Sequence, residues 1–274
     1  MDDKLFCGQF KISFFANEML NGGHTLIAGA TGSGKSTALE NFLYSLCLAG
    51  PNVRSFAVID LKRVSLRRWT DVPHCLAYAT EPSDARIVIK IFINNLKARF
   101  EEMEQKRLQK FTGTKLFLVI DEAADLIATC PDVMPDLIKL MRLGRAANIS
   151  VVYATQDPSK KTISAQIQQN CENLIALRCR DSIASRQVIG VGGAELLPRY
   201  GQALFYNPNT MNVVKIDIKL IPDEQLNEYI GRVAEAMPNT HNPTDLQSKV
   251  IYFVPQKRKS MFREFIDAFV RMFW

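Results

Sequence analysis

The stretch Gly29-Ala30-Thr31-Gly32-Ser33-Gly34-Lys35-Ser36 has the spacing G-x-x-x-x-G-K-S, and few folds accommodate it. Its glycines let the backbone curl so that successive N–H groups point at one spot, which suits phosphate oxygens. Lys35 adds a point charge for β- and γ-phosphates, and the Ser36 hydroxyl can ligand Mg²⁺. The flanks agree with this P-loop reading. His24-Thr25-Leu26-Ile27-Ala28 reads as a strand, and Thr37 to Leu48 as a helix with an apolar face. Strand, loop and helix in that order place a phosphate at a helix N-terminus. Gly29, Ala30, Thr31, Gly32, Ser33, Gly34, Lys35, Ser36 and Thr37 are therefore the candidate nucleotide site, with ATP and Mg²⁺ as the implied ligands.

A P-loop needs a largely parallel sheet beneath it, and the chain supplies the strands. Its 274 residues suffice for one large α/β domain. Ser55 to Asp60, Leu116 to Ile120, Ile149 to Ala154 and Asn173 to Cys179 are continuous apolar runs, the pattern of strands buried on both faces. Helices are expected over Ser83 to Gln109, Asp132 to Leu143, Asp181 to Ile189 and Pro222 to Met237, with Asp181 or Ser182 capping the third. Ala203 to Tyr206 and Met211 to Ile218 read as a hairpin around Asn207-Pro208-Asn209. Phe10 to Phe15 reads as a strand leading into Asn21-Gly22-Gly23. The expected fold is α/β, with helices flanking a mainly parallel central sheet.

The second chemical motif is Leu116-Phe117-Leu118-Val119-Ile120-Asp121-Glu122, an apolar strand ending in two acids. Downstream of a P-loop this matches a Walker B strand. Asp121 would hold Mg²⁺, directly or through water. Glu122 would orient or deprotonate the attacking water. The strand Ile149 to Ala154 ends in Thr155-Gln156. Ligands of open α/β sheets sit at the carboxyl ends of strands, so the polar Thr155-Gln156 pair is placed to feel the γ-phosphate or its water. The alternative is a plain strand-ending turn before Pro158.

Composition excludes little: 47% of residues are hydrophobic, 23% are charged, and the net charge is +6. That excess modestly favours a polyanionic partner. The basic stretch Lys62, Arg63, Arg67 and Arg68 is either a solvated face or a subunit or nucleic-acid contact. The six cysteines and three histidines show no metal-ligand spacing, which suits free thiols in a reducing cytosol. No apolar run reaches transmembrane length, and Met1-Asp2-Asp3 does not begin a signal peptide, so a cytoplasmic protein is expected.

The chain divides into residues 1–237, the main domain, and 238–274, a polar linker, a short apolar run at Val250 to Val254, and an amphipathic helix. In that helix Phe262, Phe265, Ile266, Phe269, Val270 and Phe273 share a face. It would dock on its own domain, on a partner protein, or on an anionic membrane surface as a peripheral anchor.

With these residues in view, the chain resembles the FtsK/SpoIIIE/HerA family of DNA-translocating ATPases from about His24 to Phe205. "HTLIAGATGSGKST", "LVIDEAADL" and "GRAANISVVYATQDPS" carry the likeness, followed by "ASRQVIGVGGAELLPRYGQALF". Two departures stand out: Leu61 replaces the family's proline between Asp60 and Lys62, and Asp157 stands where the family usually has arginine. The resemblance implies a RecA-like fold with the Thr155-Gln156 strand between the P-loop and Walker B strands. It also implies a homo-oligomer, a hexameric ring that pulls DNA through its centre with ATP between subunits. A neighbour would then supply an arginine in trans: Arg145, Arg99 or Arg186. Pore-side DNA contact would fall on the loop Ser159 to Thr162, through Lys160 and Lys161. The motor would serve DNA transfer or packaging for a mobile element, plasmid or virus. Two rivals remain at this level: a conjugation coupling or packaging ATPase that needs a protein partner, and a nucleotide-gated scaffold with little hydrolysis.

Overall fold

Alternation along β4 (Lys115–Ile120) organises the molecule. Leu116, Leu118 and Ile120 enter one core, while Phe117 and Val119 enter another on the opposite face. Successive side chains of a strand point to opposite faces, so a strand apolar at every position must be covered twice. The structure is a computed structural model that describes residues 14–63, 65–207 and 211–236.

The remaining strands are β1 (His24–Ala28), β2 (Arg54–Ile59), β3 (Cys75–Ala79), β5 (Ile149–Thr155), β6 (Cys171–Leu177), β7 (Gln202–Asn207) and β8 (Asn212–Asp217). They form one eight-stranded sheet in the order β3-β2-β4-β5-β1-β6-β7-β8. Every pairing from β3 to β6 is parallel, and β7 and β8 then add an antiparallel hairpin. β5 lies between β1 and β4, the order implied for a RecA-like sheet.

Helices α1 (Phe14–Asn21), α2 (Lys35–Cys47) and α8 (Asp223–Ala236) cover one face. Helices α3 (Pro82–Gln105), α4 (Ala123–Thr129), α5 (Met134–Leu143), α6 (Ala165–Asn170) and α7 (Ser182–Ile189) cover the other. The cap of α7 is Asp181, whose carboxylate accepts from the Ala184 N–H at 2.8 Å.

Several expectations need correction. Phe14 and Phe15 belong to a helix, not a strand, because Phe15, Ala16, Met19 and Leu20 share one helical face and are buried. α3 stops at Gln105, and Arg107 follows with φ of 53°. β3, α4 and α6 are additions. Residues 10–13, the linker, the run at Val250 to Val254 and the amphipathic helix 257–274 lie outside the described residues.

Candidate active site

Five strand ends meet on one edge of the sheet. The P-loop leaves β1, Asp60 to Lys62 leave β2, Asp121-Glu122 leave β4, Gln156 leaves β5, and Arg178 leaves β6. Backbone bonds lash the P-loop to its neighbours: Gly29 N–H donates to the Thr155 carbonyl at 3.3 Å, and Ala30 N–H to the Arg178 carbonyl at 2.8 Å. Two glycines are demanded by geometry. Gly34 caps α2 in the left-handed conformation at φ of 96°. A side chain at Gly29 would stand 2.6 Å from Ser33 Oγ and 2.7 Å from Leu177 Cβ.

Lys35 is buried at the start of α2, and its ammonium donates to Asp121 Oδ1 at 2.7 Å and to the Asp121 carbonyl at 2.5 Å. Ser36 Oγ donates to Ser65 Oγ at 3.1 Å, and Thr37 gives its carbonyl to Asn41. Thr31 Oγ1 donates to Gln156 Oε1 at 2.7 Å, so the β5 end is coupled to the loop. Glu122 is buried beside them. Its carboxylate accepts from Thr155 Oγ1 at 2.7 Å and from the Gln156 N–H at 3.0 and 3.1 Å.

The residues fit Mg²⁺ and a nucleotide triphosphate. The first-turn N–H groups of α2 have no intrahelical acceptor, and Ser33 Oγ is buried without a hydrogen-bond partner. Lys35 carries a charge that a phosphate can claim. Mg²⁺ at such sites is bound by one or two carboxylates plus phosphate, a demand Ser36 and Asp121 can meet.

The three candidate arginines occupy different places. Arg99 is buried, and its guanidinium donates to the carbonyls of Ala147 (2.8 Å), Asn148 (3.1 Å) and Thr114 (2.9 Å) while lying 4.4 Å from the Phe111 ring centre. Those carbonyls precede β4 and β5, on the sheet edge opposite the P-loop. Arg145 lies on that same far edge, but it is exposed and pairs with Glu172. Arg186 is exposed on α7 and reaches Ser182 Oγ at 3.5 Å. Lys160 and Lys161 are exposed at the tip of the loop after β5. Most of the basic stretch after β2 is engaged within the chain: Arg63 pairs with Glu81, and Arg68 with Glu40 and Asp223.

Three further residues reach the site. Lys62 Nζ lies 3.5 Å from Glu122 Oε2 and 3.3 Å from Asp125 Oδ2. Burial pulls the Lys62 ammonium down, but these two carboxylates outweigh it and leave its pKa raised. Thr155 is the hydroxyl on Glu122. Arg199 lies over the P-loop tip: a side chain at Gly32 would stand 3.4 Å from Arg199 Nη2. Arg199 also lies 5.2 Å from the Tyr200 ring centre. Nothing in the spacing of Arg199 marks it, because it reaches the site from the loop before β7. Thr155 stands out in the sequence with Gln156 as a polar strand end, and Lys62 as part of a basic stretch, but the contact of each with Glu122 is not legible there.

The sequence profile of the FtsK/SpoIIIE family matches residues 7–204. The chain is 32% identical over 229 residues to DNA translocase FtsK of Clostridium tetani, covering 77% of this chain and 31% of that protein. It is 30% identical over 232 residues to DNA translocase SpoIIIE of Bacillus subtilis, covering 77% and 30%. It thus spans about a third of the curated relatives it matches. Among solved structures, the pCW3 conjugation coupling protein TcpA superposes with a TM-score of 0.67 at 23% identity, over 78% of this chain and 65% of that one. The type VII secretion ATPase EccC of Thermomonospora curvata superposes with a TM-score of 0.69 at 22% identity, over 80% and 29%. These two likenesses speak to fold.

Proposed function

The chain belongs to the FtsK/SpoIIIE family, and from that premise we propose that it is an ATP-driven DNA translocase working as a ring of subunits in the cytoplasm. The observation that carries the reading is the meeting of Lys35, Asp121, Glu122 and Gln156 at one sheet edge, joined through contacts of 2.5–3.1 Å. Lys35 leaves Asp121 for the phosphates when nucleotide arrives. Ser36 and Asp121 would hold Mg²⁺, which would supply charge neutralisation on the phosphate oxygens. Glu122 orients the water and takes its proton, and Gln156 reports the γ-phosphate to the P-loop through Thr31.

A trans-acting arginine in a head-to-tail ring must be exposed and must lie away from its own P-loop. Arg145 meets both conditions. Arg99 meets only the second, because it is buried, and Arg186 follows β6 on the P-loop side. Lys160 and Lys161 would neutralise DNA phosphates without reading bases. The test is ATP-dependent displacement of a third strand annealed to duplex DNA. The protein should strip it, and Glu122→Gln should bind ATP yet fail. Stripping by Glu122→Gln at the native rate would sink the Walker B assignment.

A further inference from the structure

Thr155 is fully buried, and its hydroxyl has two well-placed neighbours. It donates to Glu122 Oε1 at 2.7 Å and accepts from the Asp157 N–H at 3.1 Å. One hydroxyl has one proton to give. The 2.7 Å contact claims it in preference to the Asp157 carbonyl at 3.4 Å. The carboxylate of Asp157 in turn accepts from Ser159 Oγ at 3.0 Å and from Thr162 Oγ1 at 3.2 Å. The far end of this turn is anchored to β5, where the Tyr153 hydroxyl donates to the Thr162 carbonyl at 2.5 Å. The turn from Asp157 to Thr162 is thus closed on itself by a carboxylate and fastened to its own strand. Lys160 and Lys161 are its exposed tip.

We infer that Thr155 is the positioning residue of Glu122, and that the Asp157 turn links the Lys160–Lys161 tip to that carboxylate. The link runs by hydrogen bonds from Ser159 and Thr162 to the Asp157 carboxylate, through the Asp157 residue itself, and from its N–H to the Thr155 hydroxyl; coupling along it is what the experiment below measures. Thr155 and the Gln156 N–H fix both oxygens of Glu122 from the β5 side, so the angle from which the carboxylate meets water is set by β5. A polyanion gripping the tip pulls on a turn held shut by Asp157, and through the Asp157 N–H the pull reaches the Thr155 hydroxyl. This rests on the reading of Glu122 as the water-activating group and of the tip as a nucleic-acid contact.

The experiment is steady-state ATP turnover of the full chain, with and without duplex DNA, for wild type, Thr155→Val, Thr155→Ser and Asp157→Ala. Thr155→Val keeps the side-chain shape and loses the hydroxyl. It should lower kcat at least about tenfold with KM for ATP within about twofold, the signature of an interaction made in the transition state. Thr155→Ser should restore most of kcat. Asp157→Ala should still bind DNA, measured by fluorescence anisotropy, while its ratio of DNA-stimulated to basal turnover falls towards one. A native kcat in Thr155→Val, or equal losses in Thr155→Val and Thr155→Ser, overturns the positioning role. Full stimulation of Asp157→Ala overturns the link. Wild type indifferent to DNA would overturn the DNA reading and the link together, while basal kcat of the Thr155 pair would still decide the positioning role.

Discussion

Lys35 Nζ lies 2.7 Å from Asp121 Oδ1, and both side chains are about 4% exposed. The pair joins the start of α2 to the end of β4, and each charge is the other's compensation in the interior. Removing one partner of a buried pair leaves an uncompensated charge, which costs about 3–5 kcal/mol, whereas removing both costs far less. Lys35→Ala should therefore lower the unfolding free energy by about that amount, and Lys35→Met combined with Asp121→Asn should recover most of it. Urea unfolding checks this. Neither variant should gain thermal stability from Mg-ATP; a Tm rise in Lys35→Ala on adding it would contradict the phosphate role of Lys35.

Arg99 is predicted to be a structural staple. It bridges the segments leading into β4 and β5 through three carbonyls. Charged hydrogen bonds of this kind contribute about 1.5–3 kcal/mol each when their loss strands a buried partner. Arg99→Ala should lose at least about 2–4 kcal/mol of stability, and Arg99→Lys should recover only part, since an ammonium lacks the fork. Native stability with abolished turnover would instead make Arg99 catalytic.

His24 gives the fold an acid-sensitive point. Its Nδ1 accepts the Val151 N–H at 2.9 Å, a bond that a doubly protonated ring cannot make. Burial, with Lys115 and Arg145 nearby, lowers its pKa from 6.5 to about 4. The unfolded chain therefore binds more protons between those values, and stability falls as pH drops from 6.5 to 4. The loss at the lower end is on the order of 2–3 kcal/mol. His24→Asn keeps an acceptor and removes the titration, so its Tm should vary less than wild type across that window. Identical pH profiles would refute the assignment.

Arg199 sits over the P-loop tip, where a phosphate or its neighbour would pass. Arg199→Ala should weaken ATP binding about three- to tenfold, as loss of an exposed charge contact does, with little change in kcat. Isothermal titration measures it. Unchanged affinity would reduce Arg199 to a surface residue.

What the sequence disclosed is what local patterning controls. The P-loop spacing, the doubly buried strands and the Asp181 cap are written within a few residues each. Thr155 and Lys62 illustrate the rest: each adjoins a motif, yet its bond to Glu122 depends on which strands become neighbours. Phe14 and Phe15 look like strand residues by propensity, and packing against α2 makes Phe15 helical. β3 is short and rich in alanine, so neither length nor period announced it. The three arginines are indistinguishable as letters; burial alone separates Arg99 from Arg145.

The measurement closest to the central claim is ATP turnover with and without duplex or single-stranded DNA across a range of salt. Stimulation should weaken as salt rises, with log affinity for DNA falling linearly in log salt. Replacing Lys160 and Lys161 by alanine should lower that slope by about one to two. Robust turnover indifferent to both kinds of DNA at every salt concentration would contradict the claim that this ATPase moves DNA.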